Sequence, residues 1–120
     1  MDNRRVLKQV VPQLSFISKR DNIPIMRIIS RKALREFWER YSDSQGPLVR
    51  WYKIVAQSEF RNLAELRLTF PSADVVGDLI VFNIGGNKYR LIASVHFNRG
   101  KVYVRHVLTH AEYNQGEWKA

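Results

Sequence analysis

Between Val75 and Tyr113 apolar and polar residues alternate at the spacing of β-strands, in three runs: LIVFNI, NKYRLIASVHF and KVYVRHVLT. Gly85-Gly86 separates the first two and Asn98-Arg99-Gly100 the last two, which are spacings of tight hairpins. The pattern predicts a β-meander. With Gly85 and Gly86 at the centre of a primed turn, Ile84 faces Asn87, Phe82 faces Tyr89 and Ile80 faces Leu91. With Arg99 and Gly100 in the second turn, Phe97 pairs with Val102, Val95 with Val104, Ala93 with His106 and Leu91 with Leu108. These pairs form one apolar face.

The opposite face then carries Asn83, Lys88, Arg90, Ser94, His96, Tyr103, Arg105 and Thr109, with Leu79, Val81, Ile92 and Val107 as its apolar members. It reads as a cationic floor. The Gly-Gly turn, the start of the middle strand and the end of the last strand lie at one edge. Asn83, Asn87, Lys88, Arg90, Thr109 and His110 should therefore gather there, with Tyr113 one helical turn after His110.

Upstream, Met26 to Ile29 suits a first strand. Ser30 is placed to cap a helix through Tyr41, with Leu34, Phe37, Trp38 and Tyr41 on its apolar stripe. Arg31, Lys32, Arg35 and Arg40 fall off that stripe and read as a solvated face. After the turn SDSQGP, Leu48, Trp51, Tyr52 and Val55 mark a second helix, which makes Trp51 a core residue. Asn62 and Glu65 have capping-box spacing for a third, with Leu63, Leu66 and Phe70 as its apolar positions and Pro71 as its stop. SAD leads into the meander, and AEYNQGEWKA reads as a short helix and polar tail. Strand, helices and three consecutive strands define an α+β domain with helices on one face of a small antiparallel sheet and the cationic face open.

A chain of 120 residues suits one compact domain, assigned to residues 26–120. Residues 1–25 read as an N-terminal arm or an upstream extension of the reading frame. Arg4, Arg5, Lys8, Lys19 and Arg20 against Asp2 and Asp21 give this stretch +3 of the total +9. That net charge makes an anionic partner the default, and nucleic acid first among them. There is no cysteine, so disulfides and thiolate metal sites are excluded. The three histidines, 96, 106 and 110, lack zinc spacing, and no apolar run approaches the length of a membrane span. The reading is of a cytoplasmic protein without metal or other cofactor.

Two or three fixed cations, a histidine, a tyrosine and amides suit a phosphodiester. Cleavage of RNA without metal needs a base for the 2′-OH proton, cations for the charge on the phosphoryl oxygens, and an acid for the leaving 5′-oxygen. Arg90 and Arg105 offer guanidinium forks. His110 is the side-chain type whose ordinary titration range lies nearest neutrality; Tyr113 can stack on a base or share the proton transfer; Lys88 beside Arg90 is a candidate for a depressed pKa. His106 on the apolar face reads as a core or edge histidine, and His96 as an exposed strand histidine. His110 and Tyr113 equally suit capping the strand and seating the last helix. Pattern and composition reach an RNA- or phosphate-binding α+β domain.

The segments MRIISRKALREFWERY, PLVRWYK, FPSADVVG, VFNIGGNKYRLIASVHF and VYVRHVLTHAEY, from Met26 to about Asn114, together resemble the HigB toxins of bacterial type II toxin–antitoxin systems. The resemblance implies a RelE-like fold whose concave sheet face receives RNA. It also implies an mRNA interferase that cuts messenger RNA, typically in a translating ribosome, and is neutralised by a HigA antitoxin with a helix-turn-helix. By motif position it marks Asn87, Lys88, Arg90, Arg105, His110 and Tyr113; with the open face read above, catalysis is assigned to Arg90, Arg105, His110, Tyr113 and Lys88, and RNA binding to Asn83, Asn87, Lys88 and Tyr103. The chain departs from the family in its first 25 residues and in Asn114, where an aspartate is expected. A non-catalytic RNA-binding module and a regulatory partner of an antitoxin are the competing readings.

Overall fold

The computed structural model describes residues 25–119; the expected N-terminal arm, apart from Ile25, lies outside the described residues. Strand β1 (Arg27–Ile29) is followed by helices α1 (Arg31–Arg40), α2 (Gln45–Gln57) and α3 (Leu63–Thr69), then by strands β2 (Asp74–Val76), β3 (Leu79–Ile84), β4 (Tyr89–His96) and β5 (Lys101–Thr109), and by helix α4 (His110–Gln115). The sheet has five strands in the order β1-β5-β4-β3-β2. Two features depart from the meander expected. Asp74–Val76 is a further strand, antiparallel to β3, and β1 lies parallel to β5 at the other edge, so the sheet is mixed. The connection from β1 to its parallel neighbour contains all three helices and the other strands, which is the long crossover that parallel pairing requires.

The helical stripes form as the periodicity predicts. Leu34 and Phe37 from α1 and Leu48, Trp51 and Val55 from α2 enter one core with Phe82, Leu91 and Ala93 of the sheet. Trp51 is 2% exposed and meets Phe82 edge-on at 5.4 Å between centroids, as a core residue should. Arg31, Lys32, Arg35 and Arg40 are exposed. Asn62 caps α3 by accepting from the Glu65 amide at 2.9 Å. The reciprocal half of the box is shifted by one residue, because Glu65 accepts from the amide of Arg61 at 2.8 Å.

Register corrects the face assignments. The first hairpin loop has four residues, 85–88, so Ile84 pairs with Tyr89, Phe82 with Leu91 and Ile80 with Ala93. Each pair is moved by two positions from the expected one, and an even shift keeps every residue on its face. The second turn is a 3-10 turn, Phe97–Arg99, closed by Gly100 at φ 64°. Val95 therefore pairs with Val102 and Ala93 with Val104. A bulge then intervenes, and beyond it Ile92 pairs with His106, Leu91 with Val107, Arg90 with Leu108 and Tyr89 with Thr109.

One extra residue inverts the alternation of everything after it. His106 and Leu108, expected on the apolar face, share the open face with Ile92 and Arg90; Val107 and Thr109 turn to the helix side, where Val107 packs in the core. The open face is not wholly a cationic floor either. Val81, Ile92 and Trp118 form a second buried cluster there, with Val76, Leu79, Leu108 and Tyr113 against it. The tail expected to be polar thus covers part of that face.

The Gly-Gly loop is fixed from the helical layer. Asp43, in a 3-10 turn (Ser42–Ser44) between α1 and α2, accepts from Tyr89 Oη and from Lys88 Nζ. Tyr89 meets Phe37 edge-on at 5.3 Å. Hydrogen bonds from Lys88 and then Tyr89 lower the Asp43 pKa from its ordinary 3.8, and Asp43 raises those of Lys88 and Tyr89. A lowered carboxylate pKa gives stability that is complete above the unfolded value and lost as pH falls through the folded one. Raised values for Lys88 and Tyr89 give stability that is complete below their unfolded values and lost as pH rises through the folded ones. Asp43→Asn should lower the urea midpoint at pH 7 and flatten its fall at both acid and alkaline extremes; equal pH profiles for the two proteins would contradict the assignment.

Candidate active site

Strand β4 begins where the Gly-Gly loop ends, which places Arg90 one residue inside the sheet, across from Asn83 on β3 and Leu108 on β5. Its side chain is folded back against its own loop. Nη2 donates to Asn87 Oδ1 at 2.6 Å, and Nη1 donates to the carbonyls of Asn87 at 3.2 Å and Tyr89 at 3.1 Å. Nη2 also lies 3.2 Å from His110 Nδ1. Arg90 is only 7% exposed, and among the described residues no carboxylate pairs with it. Every acceptor it uses is neutral.

A guanidinium has donors only, so the contact with His110 requires a lone pair on Nδ1; the neutral imidazole then carries its hydrogen on Nε2. His110 is seated by two devices. Its backbone amide donates to the Lys88 carbonyl at 3.0 Å. It also opens α4, whose N-cap Thr109 accepts from the Glu112 amide at 3.1 Å while Glu112 accepts from the Thr109 amide at 2.9 Å, a complete capping box. One turn on, Tyr113 presents its ring to Arg90, with Cζ 5.2 Å from the ring centroid. The indole of Trp118 stacks on the same tyrosine at 5.2 Å and 13°, and Trp118 Nε1 donates to the Tyr113 carbonyl at 3.0 Å.

The structure therefore brings together Arg90, Asn87, His110 and Tyr113, with Asn83 opposite Arg90. It separates the others. Lys88 gives its backbone to this corner but sends its ammonium to Asp43, which raises its pKa, so the depressed value considered from sequence is reversed. Lys88 is a fixed cation on the rim. Arg105 lies at the bulge with its guanidinium 5.2 Å from the Tyr103 ring, and Tyr103 meets His96 edge-on at 5.2 Å. Arg105 is three residues from Leu108, the partner of Arg90, or about 10 Å along the strand. Thr109 serves as the cap of α4 rather than as part of the open face.

Two participants escape sequence reasoning. Asp43 comes from a turn more than forty positions away, with no motif to single it out. Trp118 follows a polar run with no periodicity; its only signal is a large apolar residue in an otherwise hydrophilic tail.

A sheet layered with helices on one face is the α+β arrangement expected of a RelE-like toxin, with the arginine–histidine–tyrosine corner as its candidate site. Residues 44–116 match the family described as HigB_toxin, RelE-like toxic component of a toxin-antitoxin system. Over 92 residues the chain is 38% identical to the mRNA interferase toxin HigB of Escherichia coli (strain K12), covering 74% of this chain and 88% of that relative. The mRNA interferase HigB of Shigella flexneri matches with the same identity and coverage. The HigB of Escherichia coli O6:H1 is 30% identical over 93 residues, which are 75% of this chain and 90% of that protein. This chain belongs to the HigB toxin family.

Because the capping box seats both His110 and Tyr113, Thr109→Ala should destabilise the fold by about 1 kcal/mol. Urea unfolding measures this; a change below about 0.3 kcal/mol would show that the cap does not hold α4 in place.

Proposed function

We propose that the protein is the messenger-RNA-cleaving toxin of a type II toxin–antitoxin pair, with its chemistry at the Arg90 corner. The observation that carries this reading is the burial of Arg90 among neutral acceptors. Taking a guanidinium out of water costs on the order of several kcal/mol unless charge or hydrogen bonds offset it. Here hydrogen bonds are satisfied but charge is not, so the corner favours an anion at its open side, and a phosphodiester suits the fork.

In this reading the ribose 2′-oxygen attacks the adjacent phosphorus while its proton passes to a base, and the P–O5′ bond breaks as an acid protonates the leaving oxygen. The products are a 2′,3′-cyclic phosphate and a 5′-hydroxyl. Arg90 stabilises the negative charge that grows on the non-bridging oxygens. His110 and Tyr113 are the proton-moving groups, Asn87 holds the Arg90 fork, and Asn83 and Lys88 contact the strand at the rim. Arg105, about 10 Å away with Tyr103, binds a neighbouring stretch of RNA rather than the reacting phosphate. No metal is needed, because these side chains supply charge and proton transfer. The absence of any acidic residue from β1, β3, β4 and β5 supports an RNA-facing sheet. The target is messenger in translating ribosomes in the cytoplasm, and a HigA-type antitoxin with a helix-turn-helix neutralises the toxin by blocking or distorting the Arg90 edge.

Purified protein should be mixed with messenger on programmed ribosomes, and separately with free messenger, in the presence of EDTA. Cuts on the ribosome ending in 2′,3′-cyclic phosphate are expected. Arg90→Ala should reduce the rate about 10²–10³-fold while the protein stays folded; full activity of that variant would refute the assignment. For Arg105→Ala the expected change is in binding: the slope of log affinity against log salt falls by about 1, measured by fluorescence anisotropy, with an unchanged slope as the contrary result.

A further inference from the structure

We propose that Trp118 is a positioning residue that holds the Tyr113 ring, so that Tyr113 works through its hydroxyl and not as a platform for an RNA base. The proposal rests on the nuclease reading above and chooses between the two roles open to Tyr113.

Trp118 is anchored independently of Tyr113. It is 8% exposed in a protein whose other C-terminal residues, Glu117 and Lys119, are exposed, and it packs on Val81 and Ile92 in the middle of the open sheet face. Gly116, at φ 79°, turns the chain after α4 and brings the indole back toward it. From that seat the indole lies nearly parallel to the Tyr113 ring, at 13°, and its N–H closes on the Tyr113 carbonyl. The side chain and backbone of one residue are thus both fixed by another. The Arg90 guanidinium takes a second contact on the same ring.

A ring that already carries an indole stack and a guanidinium contact offers less π-surface to a nucleobase, because stacking needs a free face. The phenolic oxygen is not consumed in this way: among the described residues no hydrogen bond to Tyr113 Oη accompanies those that fix its backbone. A tyrosine held rigidly with its hydroxyl unengaged suits hydrogen bonding or proton transfer, where an error of about an ångström is costly. Trp118 also lies beyond residue 116, where the family match ends, so motif comparison alone does not mark it.

The test uses the full chain with Trp118→Phe, Trp118→Leu, Tyr113→Phe and Tyr113→Leu. Cleavage on programmed ribosomes gives kcat and KM, and anisotropy with a 2′-O-methylated RNA that cannot be cut gives affinity. Phenylalanine and leucine both fill the apolar seat on Val81 and Ile92, but only phenylalanine can stack. Trp118→Phe should keep kcat within about threefold, whereas Trp118→Leu should lose at least about tenfold in kcat with KM unchanged. Tyr113→Phe should lose about 10²-fold or more in kcat with RNA affinity unchanged. Equal kcat for Trp118→Phe and Trp118→Leu would overturn the positioning role. Full kcat in Tyr113→Phe combined with weakened RNA binding in Tyr113→Leu would overturn the hydroxyl role in favour of stacking. If the wild-type protein cuts no RNA, the nuclease reading fails separately. The ring protons of Tyr113 would still report the stack by NMR, shifted upfield in the wild type and not in Trp118→Leu; the same shifts in both would overturn it.

Discussion

A positive charge buried against neutral groups is the constraint around which this structure is arranged. Arg90 has surrendered most of its hydration and found a side-chain amide, two carbonyls and an imidazole nitrogen, but no carboxylate. An aspartate in the place of Asn87 would neutralise the site and make it a structural ion pair. The amide satisfies the donor geometry and leaves the charge unspent. Much of the surrounding architecture keeps this arrangement rigid. Asp43 secures the two residues that precede Arg90, the capping box starts α4 at His110, and the tail returns through Gly116 to set Trp118 behind Tyr113.

The bulge at Ile92/Ala93 divides the open face into two kinds of surface. On its far side from the Gly-Gly edge, β5 keeps the register set by the second turn and presents Lys101 and Tyr103 beside His96. On the near side the alternation is inverted, so Leu108 faces outward and joins the apolar patch that receives Trp118. Without the extra residue, Val107 would face outward and Leu108 would sit under the helices. The same irregularity that turns Val107 into the core therefore builds the seat for the C-terminal tail, and with it the wall of the Arg90 corner.

Patterns of short period were legible in the sequence. The stripes Leu34–Phe37 and Leu48–Trp51–Val55, the cap at Asn62 and the two hairpins depend on residues close in the chain, and they form as expected apart from turn length. Arg90, His110 and Tyr113 could be grouped because the start of β4 and the end of β5 share one edge of the sheet, and a slip of one residue between them does not move that edge. What could not be read depends on tertiary context. A bulge has no composition of its own, so strict alternation puts His106 and Leu108 on the wrong face. Asp43 is an ordinary turn aspartate until the fold brings Lys88 and Tyr89 to it. The parallel seat of β1 is decided by a crossover spanning most of the domain, and the role of Trp118 by an apolar patch that exists only once the bulge is made.

In the proposed function the uncompensated charge of Arg90 serves RNA cleavage in the cell. That role is tested most directly by expressing the full chain and a folded, equally abundant Arg90→Ala variant in bacteria, then mapping the 5′ ends of messenger RNA. Growth arrest with new internal 5′ ends in the first culture, both absent from the second, is the predicted result. Growth arrest with the same new ends in both cultures, or in neither, would contradict the account.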